Sequence, residues 1–312
     1  MITSVQMEVL KRTMKNNSCN YLFLFLLYSL VGLTECRSQE GFAFKKTLAK
    51  ELKEISGIAR DGNALWAISD HGNSEIFKLD LKGEIIQRVR VTNFTFQDVE
   101  AVTVDKDYVY VGDIGDNDGN RTDRVIVRIP KSSLGSKAAV EVQGQEIDFV
   151  FPDEGEVKKK KKNNYDCEAM LNYNDSLYVF TKRREDLQTG LYAIPEQPGN
   201  YTAHSIALFD TRGLVTDAAM NAGQNEIALS GYDAGHKKPF IWVLSDFKGN
   251  NFFTGKQSRY RINNEKKLDW QVEGIAYKDA NSFFITCEKS KDVDNSLFVI
   301  ERSKLISKPG HE

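Results

Sequence analysis

Acidic residues recur at one spacing along the chain, in the stretches E-I-S at Glu54, D-V-E at Asp98, D-C-E at Asp166, V-T-D at Val215 and Q-V-E at Gln271. Side chains two apart share a face of an extended strand. Each stretch therefore presents its first and third residues to one side, and four of the five third residues (Glu100, Glu168, Asp217 and Glu273, against Ser56) are acidic. Carboxylates gathered from several strands repel one another unless they hold protons or share a cation. Calcium, a hard ion that takes six to eight oxygen ligands, suits such a set, with Asp98, Glu100, Asp166, Glu168, Asp217 and Glu273 as its ligands. A hydrogen-bonded network that caps strands and surrounds water is the other reading, and both stay open.

A second set ends the strand that follows each of these stretches: Asp70, Asp113, Lys182, Tyr232 and Glu288, with His71, Asn73, Asp116, Asn117, Arg183, Arg184, His236 and Lys289 just beyond. An antiparallel return brings these residues to the face where the acidic pairs begin. Asp70, His71, Asp113, Asp116, Asn117, Lys182, Arg183 and Glu288 are accordingly the candidates for ligand contact. A cation flanked by Lys182 and Arg183 could polarise a phosphate, sulfate or carboxylate from two sides; the same side chains could instead bridge to Glu168 or Asp113. "GDIGDNDGNR", at Gly112 to Arg121, lacks the ligand spacing and closing glutamate of an EF-hand, and its "DGN" reads as a tight turn.

The elements that position these residues form a repeat. Five segments, such as "DVEAVTVDKDYVYVGD" and "QVEGIAYKDANSFFITCE", share a small-residue strand, a polar turn and a more aromatic strand. Third strands ("EIFKLDL", "VIVRIP", "GLYAIP", "PFIWVLS", "SLFVIE") and usually fourth ones follow. The equivalent positions Gly57, Ala101, Ala169, Ala218 and Gly274 are spaced by 44, 68, 49 and 56 residues, as in propeller blades with loop insertions. The expected fold is all-β: one five-bladed propeller of four-stranded blades over 41–305, or six blades if the longest gap conceals another unit. The fifth unit lacks a fourth strand, and "GFAFKKTLA" at Gly41 is a strand without a unit, so the N-terminal strand should close the ring and cover the last edge.

Outside the propeller, Lys11, Arg12 and Lys15 precede the apolar run from Tyr21 to Leu33, which reads as an export signal over 1–36 and is short for a membrane span. Cys36 stands where a lipoprotein signal places its lipidated cysteine, although Glu35 replaces the usual small residue. The mature chain should have no transmembrane helix, should end in a short tail at 306–312, and is expected to be a monomer that is periplasmic, secreted or anchored to an outer membrane. Cys167 and Cys287 fall on different units and are expected as buried free thiols. A net charge of −2 gives no pull toward nucleic acid.

"DVEAVTV...YVYVGDIGDNDGNR...VRIP" and "DCEAMLNYNDSLYVFTKR...LYAIP" resemble stretches of secreted bacterial β-propeller proteins related to the phytase-like and esterase-like families. The resemblance implies a propeller and export; it carries over no catalytic residue, because the catalytic pattern of propeller phytases is not matched. Two function classes follow. One is a calcium-dependent site that binds, and as a hydrolase turns over, a small anionic or sugar-like phosphoester or ester. The other is a non-catalytic surface module for a protein or glycan.

Overall fold

Small residues mark the repeat because the strands that carry them meet at the centre of a ring. They lie on the innermost strands Ile55–Asp61, Val99–Val104, Cys167–Tyr173, Leu214–Asn221 and Val272–Asp279, which neighbour one another in a closed circle. A methyl group on Gly57 would stand 3.3 Å from the Glu100 carbonyl oxygen of the next blade, and one on Gly274 would stand 2.1 Å from Thr286 Oγ1. No larger side chain fits at these crossings.

The computed structural model describes residues 42–70, 74–155, 162–264 and 267–307. The segment expected as an export signal with Cys36, most of the lysine run and the last five residues lie outside them. Five sheets form the propeller. Each has antiparallel second and third strands beside the innermost one: Ala64–Ser69 and Glu75–Asp80, Tyr108–Asp113 and Arg124–Pro130, Ser176–Thr181 and Thr189–Pro195, Glu226–Tyr232 and Phe240–Ser245, Ser282–Cys287 and Ser296–Glu301. Ile85–Val91, Gln145–Val150, His204–Phe209 and Lys256–Arg261 are the fourth strands of blades 1 to 4. The fourth strand of blade 5 is the N-terminal Phe42–Thr47, antiparallel to Ser296–Glu301. Asn295 clasps the closure, its Nδ2 donating to the carbonyls of Ala49 and Leu52 at 3.1 and 3.0 Å. Helical structure among the described residues is limited to single 3-10 turns, and no helix there is long and apolar enough to cross a membrane.

The expectation of four strands per blade holds for blades 3 and 5 only. Ala139–Val142 leaves blade 2 to lie parallel to the edge of blade 1, and Gly199–Thr202 leaves blade 3 to do the same for blade 2. Ile306–Ser307, expected as tail, pairs with the edge of blade 4. These short additions escaped the sequence pattern because two to four residues show no usable periodicity.

Hydrophobic clusters fill each of the five gaps between neighbouring blades. Blades 1 and 2 share Trp66, Ile68, Val102 and Val111, blades 2 and 3 share Tyr110, Ile126, Met170 and Val179, and blades 3 and 4 share Phe180, Leu229 and Phe252. Blades 4 and 5 share Ile241, Ile275 and Phe283, and Ile58, Leu65, Phe284 and Val299 join blade 5 to blade 1. Inner strands are buried on both faces and read as continuous apolar runs, whereas outer strands such as Ile85–Val91 alternate. Cys167 and Cys287 are buried free thiols in different gaps; burial raises both thiol pKa values, that of Cys287 to about 12.

Candidate functional site at the channel mouth

Every innermost strand breaks register with its neighbour near its start, with the extra residue at Ser56, Glu100, Glu168, Thr216 or Glu273, and that of blade 5 breaks it again between Tyr277 and Asp279. A bulge re-aims the side chain it carries, and here the same device is used five times around one axis. Ser56 Oγ donates to the Val99 carbonyl at 2.6 Å and Thr216 Oγ1 to the Val272 carbonyl at 2.7 Å, each reaching the next blade. The other three positions hold glutamates. In blade 4 the residue of this ring is therefore Thr216 and not Asp217. The expected alignment of the fourth unit, "VTDAAM", is one residue off, and a slip of one residue turns a strand's side chains to the other face.

The bulges place Glu100, Glu168 and Glu273 on a cavity of about 250 Å³, together with Glu54, Asp70 and Glu288. Carboxylate oxygens of Asp70, Asp98 and Glu100, from blades 1 and 2, lie within 4.8 Å of one another. Asp98 fits because Gly115 has no side chain: a methyl group there would stand 2.4 Å from the Asp98 carboxyl carbon. Asp70, at the exposed rim, has its pKa pushed up to about 7, first by loss of water and then by the charges of Asp98 and Glu54. Burial, followed by Glu168 and Asp98, raises Glu100 well above the carboxylate range, and burial likewise raises Asp98, Glu273 and Glu288.

The cations expected to face a ligand are engaged with protein carboxylates. Lys182, 4% exposed, bonds Glu168 and donates to Tyr232 Oη at 2.8 Å, while Tyr232 donates to Glu273 at 3.1 Å. Arg184 Nη2 donates to Asp166 at 2.7 Å and to Glu168 at 3.3 Å, and it bonds the Asn117 side chain. Arg183 turns to Asp186, with Nε 3.0 Å from its carboxylate. The bridging alternative for Lys182 is thus what the structure shows, within its own blade.

The remaining candidates separate by how their oxygens are used. Asp113 accepts from the backbone N–H groups of Gln97 and Asp98 at 3.1 and 2.8 Å and from Arg121 at 2.9 Å. Asp116 accepts from the backbone of Asn120 at 2.8 Å and from Arg124 Nη2 at 2.9 Å. Asp166 accepts the Asp116 N–H at 2.8 Å besides Arg184. Those three shape the loop after the second strand of blade 2 and are not brought to the cavity, whereas Asn117 and Glu288 line it. His71 lies outside the described residues. Sequence reading passed over Arg121 and Arg124, which consume two of the loop's aspartates; nothing in their spacing marks them as buried partners. Tyr232 was in view as the end of a second strand, but its hydroxyl link to Glu273 required the fold.

Asp217 has a different position. Fully buried, it accepts from the backbone N–H groups of Ile275 and Ala218 at 2.8 Å each and of Ile58 at 3.3 Å, tying blade 4 to blades 5 and 1. Beyond it a second cavity, of about 370 Å³, opens among all five blades, lined by Ala59, Val102, Asn172, Met220 and Ala276 among others, with Arg60 the one charged residue on its wall.

The family model described as SdiA-regulated matches residues 39–143, which span the N-terminal strand, blade 1 and most of blade 2. No curated protein matches the sequence. Among solved structures the chain is similar to the PQQ-bound aldose sugar dehydrogenase of Streptomyces coelicolor, at 12% identity over 84% of this chain and 99% of that one, with a TM-score of 0.46. A luciferin-regenerating enzyme matches at 12% identity over 86% and 98%, also with a TM-score of 0.46. Hydrazine synthase of Kuenenia stuttgartiensis matches at 11% identity and a TM-score of 0.42, over 82% of this chain, which spans 65% of the synthase chain. The chain is thus similar, over residues 39–143, to the SdiA-regulated family.

Proposed function

We propose that the channel mouth is a calcium site that binds a small oxygen-rich ligand and hydrolyses a phosphoester or ester bond within it. The observation that carries this reading is the convergence of Asp70, Asp98 and Glu100 from two blades, with oxygens within 4.8 Å of one another. The donor set is entirely oxygen, which suits a hard cation and not a thiolate-seeking one, and Asn117 and Gln271 face the same cavity. Calcium held there would polarise a carbonyl or phosphoryl oxygen of the ligand. Glu168, between Lys182 and Arg184 on the same cavity, is the carboxyl placed to exchange a proton with the ligand. At about 250 Å³ the cavity falls just below the ~300–1,000 Å³ usual for drug-sized ligands. With Lys182, Arg183 and Arg184 engaged, a sugar-like ligand fits this wall better than an anion.

The signal-like segment with Lys11, Arg12 and the apolar run from Tyr21 supports action outside the cytoplasm, where calcium sites of about 10⁻⁴–10⁻³ M affinity are common. Calorimetric calcium titration of the mature chain, followed by turnover assays on phosphoester, ester and lactone panels with and without chelator, tests the reading. The expected result is one calcium per chain, lost in Glu100→Gln, and chelator-sensitive turnover lost in Glu168→Gln. Calcium binding without turnover on any panel would leave a binding module, and absence of calcium binding would sink the site.

A further inference from the structure

If the mouth holds a divalent cation, as proposed above, the charges left beside that cation identify the ligand further. Six carboxylates line the cavity, Glu54, Asp70, Glu100, Glu168, Glu273 and Glu288, against the fixed cations Lys182 and Arg184. Lys182 is paired with Glu168 and Arg184 with Asp166, and Lys53 stands 2.9 Å from Glu54. A divalent cation among Asp70, Asp98 and Glu100 offsets two of their three charges. Glu273 and Glu288 of blade 5 then remain on the same cavity with no ion pair among the described residues; Lys182 acts on both at longer range but is bonded to Glu168, and it reaches Glu273 only through the Tyr232 hydroxyl. His236 adds no fixed charge there at neutral pH, since burial and the nearby Lys182 hold its pKa below the ordinary value.

Two of these side chains are nine-tenths buried and poorly served by the protein. Glu100 is 7% exposed, faces the cavity, and receives no hydrogen bond from an N–H or hydroxyl group among the described residues; its hydrogen-bonding neighbour is another carboxyl, Asp98. Glu273 is 8% exposed and accepts one such bond, from the Tyr232 hydroxyl. Buried carboxylates in this condition are costly unless they hold a proton or positive charge reaches them. An anionic ligand would deepen the repulsion, a neutral one would leave blade 5 dependent on protons, and a cationic one would let its carboxylates stay ionised.

We propose that the ligand of the channel mouth carries a positively charged nitrogen, an ammonium or guanidinium group, which docks against Glu273 and Glu288 while its oxygen atoms face Asp70, Asp98 and Glu100. The class is a small amino-bearing ester or sugar, of which glucosamine is the simplest probe.

Glucosamine, glucose and glucuronate differ mainly in charge, and their binding to the full mature chain at saturating calcium can be compared by calorimetry. Agmatine serves as a cation without sugar oxygens. Glucosamine should bind at least about tenfold more tightly than glucose, where each tenfold is 1.4 kcal/mol. Glucuronate should bind most weakly, and agmatine should compete with glucosamine. Glu288→Gln, and separately Glu273→Gln, should remove the preference for glucosamine over glucose; circular dichroism reports whether each variant is folded. Equal affinity for the three sugars, a preference for glucuronate, or no binding of either cationic probe would overturn the proposal. So would a second calcium equivalent that agmatine does not displace. Calcium titration without amine reads the metal site alone. A chain that binds amine but no calcium refutes that site and leaves the preference for positive charge standing, and the converse result refutes the preference alone.

Discussion

At the upper mouth the innermost strands begin with Ser56, Glu100, Glu168, Thr216 and Glu273; a few residues on, at the lower mouth, the same strands carry Ala59, Val102, Asn172, Met220 and Ala276. The lower cavity is the larger, about 370 Å³ against about 250 Å³, yet it presents no carboxylate and its arginine is spent on backbone. Arg60 donates to the carbonyls of Gly62 and Tyr277 at 3.0 and 3.2 Å and bonds that of Lys278. The difference arises at the bulges. At each of the five breaks near the strand starts the extra residue is polar, and beyond it the pleat resumes with uncharged, mostly apolar residues. Size is a poor guide to the working end of this channel; unpartnered charge is a better one.

Asp217, which separates the two ends, should give the largest effect. Asp217→Ala leaves three buried N–H groups without their acceptor, at about 1–3 kcal/mol each, so urea denaturation should show a loss of roughly 3–9 kcal/mol or no folded protein. Asp217→Asn, which keeps one acceptor oxygen, should recover part of it. A loss under about 1 kcal/mol would mean that the blades do not depend on this carboxylate.

Lys182→Met leaves Glu168 in the upper mouth with Arg184 alone, at 3.3 Å, and should cost up to about 3–5 kcal/mol at neutral pH, as removal of one partner from a buried ion pair does. Adding Glu168→Gln should restore most of the loss. If the double variant is no more stable than the single one, the cost comes from packing and not from the stranded charge.

A smaller effect concerns pH. Asp70 titrates near 7 in the folded protein against an ordinary value of 3.8, so the folded state holds a proton that the unfolded state has already lost. That contribution to stability is complete below pH 3.8 and disappears as pH rises through about 7. In chelator, the urea midpoint should therefore fall between pH 5 and pH 8, and calcium should flatten the fall. A midpoint that rises with pH in chelator would contradict the charge crowding at this end. Smallest of all, Arg60→Ala at the lower mouth should change stability by no more than about 1 kcal/mol and leave calcium affinity unaltered. A shift in calcium affinity beyond about tenfold would show that the mouths are coupled.

The five-bladed ring was legible because its steric demand falls on residue type: positions 57, 101, 169 and 274 hold glycine or alanine, and that spacing is visible in the chain. The placement of Glu100, Glu168 and Glu273 on one cavity followed from strand parity. Parity failed at Asp217, because a bulge displaced by one residue is invisible in "VTDAAM", where threonine and aspartate are both plausible polar choices. It failed in another way at Asp113, Asp116 and Asp166. Their strands were placed correctly, but whether a carboxylate serves a ligand or the backbone depends on Arg121, Arg124 and Arg184 arriving from elsewhere in the loop.

The seam between Phe42–Thr47 and Ser296–Glu301 also sets an order in time. Leu48 and Asn295, joined by a backbone hydrogen bond of 2.9 Å, are 247 positions apart, so the first propeller strand to leave the ribosome is among the last to find its neighbour. The entropy of closing so long a span grows only slowly with length, but contacts this distant make folding slow. Until the fifth blade is made, the chain is an open arc with raw edges at both ends, and that interval is when a chaperone would find unpaired strand to hold.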